Sequence, residues 1–232
     1  MSKPRLIIFA SGSKDGGGSG FENLVHAAER GELDADIVAV VSNHEHGGVR
    51  ERAERLGVPF TYFNPLPLGH SHILKNMRVS YRGIVRKSGA EWVALSGWLK
   101  HVHGLDPART FNIHPALLSQ FGGRFGGHGM YGHRIHEAVA DALARGEISE
   151  SGFTMHFVTD EMDRGPAFFE CRVPLRKGMT PDDIAKAVNV EEHRWQPKIT
   201  NLVISGKIRW DGKNPESLVV PESYAYFPKL GI

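Results

Sequence analysis

The segment Arg5-Leu6-Ile7-Ile8-Phe9-Ala10, followed by the glycine-rich run 11–20 and a helical pattern over 21–30, decides the fold class of this chain. Short, nearly all-apolar runs are typical of strands buried on both faces of a parallel sheet. A turn of small residues between such a strand and a helix leaves backbone N–H groups free at the positive end of the helix, where anions bind. The segment therefore predicts an α/β protein with an anion site at its first turn. A flexible surface loop has the same composition, and that alternative stays open.

Strand and helix patterns continue to alternate beyond this segment. Strand patterns cover 37–42, 58–63, 92–95, 111–113, 153–158 and 167–173. Helical patterns cover 49–56, 71–87, 131–145 and 180–195; for the last, an extension beyond Pro197 with a kink is the alternative. This alternation predicts a three-layer, doubly wound, mostly parallel sheet with an active site at the carboxyl edge of the strands. With no linker or repeat in the sequence, residues 1–210 are predicted to form a single domain, and 211–232 an irregular extension packed on it.

Composition narrows the class of protein. The 232 residues are 41% hydrophobic and 23% charged, as in soluble globular proteins, and the net charge of +2 gives no bias towards nucleic acid or an anionic membrane. There is no long apolar targeting or membrane-spanning run, and the one cysteine, Cys171, is predicted to be a buried, inert thiol. We therefore expect a cytoplasmic protein that acts on small molecules, with no nucleic-acid or membrane partner.

Two predicted strands end in polar residues that suit catalysis. The first is Phe111-Asn112-Ile113-His114-Pro115-Ala116-Leu117-Leu118, in which period-two alternation places Asn112 and His114 on the same side of the chain. An amide and an imidazole at a strand exit can stabilise an oxyanion and move a proton. A strand end with two satisfied polar residues is the alternative. The second strand, in segment 155–166, ends in a turn that offers the carboxylate Asp163.

The two motifs, in this order along the chain, are specific enough to indicate a protein family. Asn-Ile-His-Pro-x-Leu-Leu, followed by His-Phe-Val-x-Asp-x-x-Asp-x-Gly-Pro, is similar to the folate-dependent formyltransferases, whose members include enzymes acting on 5′-phosphoribosylglycinamide. The resemblance runs from Arg5 to about Trp210 and implies the Rossmann-like formyltransferase fold. It places the catalytic residues at Asn112, His114 and Asp163. It implies transfer of a formyl group from 10-formyltetrahydrofolate to the amine of 5′-phosphoribosylglycinamide, in purine biosynthesis.

The resemblance also assigns binding residues. Those implied for the substrate phosphate and ribose are Gly18, Ser19, Gly20, Asn23 and Glu192, with Lys14 as an additional cation. Those implied for folate are Leu99, Lys100, Val102 and Asp160. The glycine-rich segment 122–132 resembles a mobile lid. This chain departs from the family in its longer first turn and in His101, which replaces an aliphatic residue. Trp98 is either part of the folate pocket or a plug of the core.

Asp163 is predicted to raise the pKa of His114 by favouring the imidazolium. No metal is predicted, since the His-x-His pairs at 44–46, 70–72 and 101–103 have no cysteine or His-Glu-x-x-His motif beside them. We expect a monomer or weak homodimer. Two other functions stay open: a related formyltransferase acting on an amino sugar or methionyl-tRNA, and a non-catalytic homologue that binds folate or a nucleotide.

Overall fold

The computed structural model describes residues 2–12, 16–65 and 80–222. The chain divides into two compact units, Met1–Leu105 and Asp106–Ile232. The predicted division into a domain over 1–210 and a packed extension stays a prediction, and residues 223–232 of that extension lie outside the described residues. So do Lys14 and the pair His70-x-His72.

The first unit alternates strand and helix, as its sequence predicts. Its elements in chain order are β1 (Arg5–Phe9), α1 (Ser19–Glu29), β2 (Asp36–Ser42), α2 (Gly48–Leu56), β3 (Phe60–Tyr62), α3 (Tyr81–Ser88) and β4 (Trp92–Ser96). The strands lie in the order β3-β2-β1-β4, and every neighbouring pair among them is parallel. Leu6 to Phe9 of β1 are fully buried, and β4 is buried along its whole length, because a parallel sheet is covered on both faces.

One helix of this unit begins later than predicted. The pattern over 71–87 suggested a continuous helix, but Ser80 has extended backbone angles and its hydroxyl accepts a hydrogen bond from the Gly83 N–H. This is an N-cap, so α3 begins at Tyr81. Residues 66–79 lie outside the described part of the chain.

The second unit contains an antiparallel sheet and two longer helices. Its elements are β5 (Thr110–His114), α4 (His133–Ala144), β6 (Glu150–Phe157), β7 (Ala167–Pro174) and α5 (Pro181–Ile204), with short 3₁₀ turns at Pro107–Arg109, Gln120–Gly122 and Pro215–Ser217. The strand order is β5-β6-β7, and both pairings are antiparallel. Across the described pairings parallel ones are therefore in the majority, and the predicted α/β class with a mostly parallel sheet is confirmed.

The last helix begins and continues as its sequence indicates. Thr180 and Asp183 form a reciprocal capping box, and Pro181 occupies the first helical position. The helix passes through Pro197 and ends at Ile204, so the predicted extension beyond Pro197 is confirmed. Within the described ranges, none of the helices combines the length and apolar character that a membrane span requires.

Candidate active site

The antiparallel pairing of β5 with β6, and the turn that follows β6, bring the predicted catalytic residues together. In the antiparallel pairing Asn112 lies opposite His156, and His114 lies opposite Thr154. Paired residues on neighbouring antiparallel strands project to the same face, so all of these side chains share one side of the sheet. The turn between β6 and β7 then carries Asp163 to within contact distance of both Asn112 and His114.

Asp163 is the centre of the cluster. Its Oδ1 accepts a 3.4 Å hydrogen bond from Asn112 Nδ2, and its Oδ2 lies 3.5 Å from His114 Nδ1. The N–H of Gly127 also donates to Oδ2, at 2.9 Å. Burial alone would raise the pKa of this carboxyl, but its interactions with His156, His114 and the Gly127 N–H hold the pKa well below its ordinary value. Asp163 is therefore a carboxylate at neutral pH.

The turn that holds Asp163 is sterically demanding. Asp163 itself has a positive φ of 55°, which is uncommon for a residue with a Cβ. At Gly165, a Cβ would lie 1.8 Å from the carbonyl oxygen of Phe157, so only glycine fits there. The Asp-x-Gly spacing in the sequence thus reflects the shape of this turn as well as its chemistry.

His156 belongs to the cluster, although the sequence interpretation did not select it. Its Nδ1 must donate to the Phe157 carbonyl, 2.8 Å away, which leaves Nε2 of the neutral ring free to accept. Nε2 lies 3.1 Å from Asn112 Nδ2 and 3.6 Å from Asp163 Oδ1. The sequence contained this histidine in its second motif, but the strand register that sets it opposite Asn112 is a long-range feature.

The amide of Asn112 is held from two sides. Its Nδ2 faces both His156 Nε2 and Asp163 Oδ1, so each of its two hydrogens has an acceptor inside the cluster. The contact with Asp163 is at 3.4 Å and is the weaker of the two by its length. To donate to an oxyanion, Asn112 has to release this longer contact.

The predicted rise in the pKa of His114 is wrong in its net direction. Asp163 does raise the pKa, as expected, but burial of His114 outweighs it, and the pKa lies below its ordinary value. The Phe125 carbonyl lies 2.6 Å from Nε2, and a carbonyl only accepts, so Nε2 carries a proton in either charge state. The proton that His114 gains or loses is therefore on Nδ1, the nitrogen that faces Asp163.

Part of the glycine-rich segment 122–132 packs directly on this cluster. Phe125 is fully buried and presents its carbonyl to His114, while Gly127 presents its N–H to Asp163. A Cβ on Gly126 would lie 2.4 Å from Leu118 Cδ2 and 3.3 Å from Asp163 Cβ. Backbone groups of the segment predicted to be a mobile lid thus contact both titratable members of the catalytic set.

A buried carboxylate supports the turn that follows His114. Glu170, on β7, accepts hydrogen bonds from the N–H and hydroxyl of Ser119 at 2.9 and 2.6 Å, and from the Thr154 hydroxyl at 3.0 Å. The Thr154 hydroxyl also lies 2.7 Å from the Ala116 carbonyl. These contacts fix the chain on the far side of His114, so the imidazole is positioned from both its strand and its following turn.

In the first unit, the predicted phosphate turn ends in two left-handed glycines. Gly17 and Gly18 have φ values of 87° and 83°, and Gly18 is the N-cap of α1 with no side-chain cap. The first-turn N–H groups of α1, where Ser19 and Gly20 lie, are thus not capped by the side chain of the N-cap residue. Asn23 is one turn further along the same helix and is half-buried.

The packing around Gly18 leaves little room for a side chain at this position. A Cβ on Gly18 would lie 2.9 Å from Val49 Cγ2, on α2, so a larger side chain there would displace a buried neighbour. We expect Gly18→Val to lower the free energy of unfolding by at least about 1–2 kcal/mol, the usual cost of a left-handed backbone for a residue with a Cβ. Gly16→Ala is the matched control, since nothing lies within 4 Å of its Cβ position. Thermal melts of both variants check this; equal melting temperatures would contradict it.

The predicted folate segment contains both accessible and buried residues. Leu99 is 42% exposed and Lys100 is exposed, whereas Val102 is only 4% exposed. Trp98 is buried, and its indole N–H donates to the Tyr81 hydroxyl at 3.2 Å, which favours the interpretation of Trp98 as a core residue. Asp160, in the second unit, is exposed on the turn after β6.

Glu192 is a carboxylate with unusual surroundings. It lies on α5 beside Asn189, whose side-chain Nδ2 donates to it at 3.3 Å. The residue is half-buried, and burial raises its pKa to about 7.

Over the described residues, there is no group of three or more His, Cys, Asp and Glu side chains that could hold a metal ion. Cys171 is buried, as predicted, and burial raises the pKa of its thiol to about 11.

Comparison with known proteins identifies the family. The formyl transferase family model matches residues 5–200. The chloroplastic phosphoribosylglycinamide formyltransferase of Arabidopsis thaliana is 32% identical over 212 residues, covering 90% of this chain and 68% of that protein. The phosphoribosylglycinamide formyltransferase of Escherichia coli (strain K12) is 26% identical over 209 residues, covering 88% of this chain and 89% of that protein.

A solved structure of the same family has a similar fold. Glycinamide ribonucleotide transformylase 1 from Symbiobacterium toebii superposes with a TM-score of 0.73 at 25% identity, covering 95% of both chains. The chain belongs to the formyl transferase family. The fold and family expected from its paired motifs are thus confirmed.

Proposed function

We propose that this protein transfers a formyl group from 10-formyltetrahydrofolate to the amine of 5′-phosphoribosylglycinamide, a step in purine biosynthesis. The observation that carries the proposal is the contact network of Asn112, His114 and Asp163, a set that a protein only binding folate or nucleotide does not need. Relatives with this activity in their names support the choice of acceptor.

The reaction requires an oxyanion donor and a proton carrier. The substrate amine attacks the formyl carbon, and the carbonyl oxygen becomes negative. The bond from that carbon to the folate nitrogen then breaks, and the proton lost by the amine ends on that nitrogen. We assign the oxyanion contact to the half-buried Asn112 amide on β5.

We assign the proton transfer to His114. Because burial lowers its pKa, His114 starts the reaction neutral, as a base rather than as a preformed imidazolium. A proton taken up on Nδ1 faces the Asp163 carboxylate 3.5 Å away, which stabilises the charged intermediate. Returning that proton to the folate nitrogen restores the neutral ring.

The other members of the site are assigned to binding. We propose that Gly18, Ser19, Gly20 and Asn23 hold the phosphate and that Glu192 contacts the ribose. Leu99, Lys100, Val102 and Asp160 contact the folate. We also propose that the protein acts in the cytoplasm, as a monomer or weak homodimer, without a nucleic-acid or membrane partner.

The test is an acceptor panel. Purified protein is incubated with 10-formyltetrahydrofolate and, separately, 5′-phosphoribosylglycinamide, an amino sugar nucleotide, methionyl-tRNA or no acceptor, and deformylation is followed by absorbance. We expect turnover only with 5′-phosphoribosylglycinamide. Turnover with another amine, or equally fast hydrolysis without an acceptor, would replace the proposed function.

We expect transfer to be independent of added metal, because an amide and a histidine supply the oxyanion contact and the proton carrier. Dialysis against a chelator should leave kcat unchanged. Activity lost on chelation and restored by zinc would contradict this prediction.

Glu192 makes stability depend on pH. Below pH 4.5, the ordinary pKa of a glutamate, the carboxyl is protonated in both the folded and the unfolded chain. Between pH 4.5 and about 7 the unfolded chain loses this proton while the folded chain keeps it. The contribution of Glu192 to the free energy of unfolding therefore falls across this interval and is constant above it. We expect Glu192→Gln to lack this fall, so its melting temperature should rise relative to the parent from pH 4.5 to 7. A parallel pH dependence of parent and variant would contradict the raised pKa.

A further inference from the structure

Ser11 is the second residue after β1, and its hydrogen bonds join three chain segments. Its N–H donates to the Gly97 carbonyl at 2.9 Å, and its hydroxyl accepts from the Leu99 N–H at 3.0 Å. The same hydroxyl donates to Asn43 Oδ1 at 2.5 Å. Asn43 follows the end of β2 and is 9% exposed, so the acceptor is itself fixed.

These contacts connect two regions that bind different ligands under the proposed function. Ser11 is at the start of the glycine-rich run 11–20, and Gly18, Ser19 and Gly20 at the end of that run are assigned to the phosphate. Gly97 and Leu99 belong to the segment assigned to folate. The hydroxyl makes one bond at the exit of each strand that flanks β1, namely β2 and β4. Removing it leaves the Leu99 N–H and the Asn43 oxygen without this partner.

A second hydroxyl holds the folate segment alone. Tyr81 is 2% exposed, donates to the His101 carbonyl at 3.0 Å and accepts from the Trp98 indole at 3.2 Å. Among the described residues, the hydrogen bonds of this hydroxyl reach only Trp98 and His101. Tyr81 therefore separates the effect of loosening the folate segment from the effect of loosening both regions.

We propose that Ser11 is a positioning residue that couples the phosphate turn to the folate segment. The proposal rests on the proposed function, because it names what holds that site in shape. A residue that holds both regions should affect both ligands when it is lost, whereas one that holds a single region should affect one ligand.

The experiment compares Ser11→Ala with Tyr81→Phe. We expect Ser11→Ala to raise the KM of both substrates about fivefold, the factor that corresponds to one net hydrogen bond, with kcat nearly unchanged. Tyr81→Phe should raise the KM of the formyl donor only. Equilibrium binding of tetrahydrofolate and of inorganic phosphate, followed by tryptophan fluorescence, should show the same two patterns without turnover.

Ser88→Ala is the matched control. Its half-buried hydroxyl also joins two backbone groups, lying 2.8 Å from the Val85 carbonyl and 3.3 Å from the Ala90 N–H, but at the end of α3. It should lower stability comparably and leave both KM values unchanged. Ser11→Thr, which keeps the hydroxyl, should restore both values.

The outcomes separate this proposal from the proposed function. An active parent whose KM values do not respond to Ser11→Ala, or respond for one substrate only, overturns the role of Ser11. An inactive parent overturns the proposed function, and the binding measurements then decide the role of Ser11 by the same criterion. If Ser11→Ala does not fold, Asn43→Ala removes the acceptor of the hydroxyl, and unchanged binding of both ligands would overturn the coupling.

Discussion

Replacing His114 with alanine is expected to lower kcat about a thousandfold, within the range usual for loss of a general acid–base. The physical reason is that His114 is held on three sides. Phe125 fixes the proton on Nε2, Asp163 faces Nδ1, and Glu170 and Thr154 support the turn that follows. The KM values should change little, because the phosphate turn and folate segment lie elsewhere in the chain.

The pair His114 and Asp163 should act as one unit. If Asp163 works by stabilising the proton on His114, Asp163→Asn should cost much less in the His114→Ala background than in the parent. The measurement is a double-mutant cycle on kcat, with folding checked by thermal melting. His26→Ala, an exposed helical histidine with carboxylate neighbours, is the control and should retain full activity. Strictly additive losses in folded variants would show that the two residues act independently.

Replacing Asn112 with alanine is expected to lower kcat by about a hundredfold to a thousandfold, as for other lost oxyanion donors. The amide is half-buried, and its longer bond to Asp163 is the one available for release to a developing charge. The substitution should leave the substrate KM nearly unchanged, because the oxygen becomes negative only during the reaction.

Two further variants test whether the effect of Asn112→Ala is specific to this amide. Asn214→Ala removes a cap from an exposed 3₁₀ turn and should retain activity, as a control for loss of an asparagine. His156→Ala removes the acceptor that holds the Asn112 amide at 3.1 Å, and should lower kcat in the same direction by a smaller factor. A loss in Asn112→Ala that appears in KM rather than kcat would assign the amide to ground-state binding.

The sequence determined those features that depend on neighbours along the chain. Apolar runs separated by helical patterns specified the strands of the first unit, because a strand buried on both faces leaves few polar positions. Period-two alternation placed Asn112 and His114 on one side of β5, and the structure has both in contact with Asp163. The cap at Thr180 and Pro181 likewise marked the start of α5 through purely local chemistry.

Only the tertiary structure decided the features that depend on partners distant in sequence. His156 contacts Asn112 because of the register between β5 and β6. Phe125 and Gly127 contribute backbone groups, which cannot be predicted from a pattern of side chains.

Burial reverses the predicted direction of the His114 pKa, because desolvation is a property of the folded surroundings and outweighs the nearby carboxylate. The contact of Gly18 with Val49, and the bonds of Ser11 to Asn43 and Leu99, have the same origin. Local periodicity specifies which side of a strand a residue occupies. The residue's protonation state, hydrogen-bond partners and solvent exposure depend instead on the elements that pack against it in the folded chain.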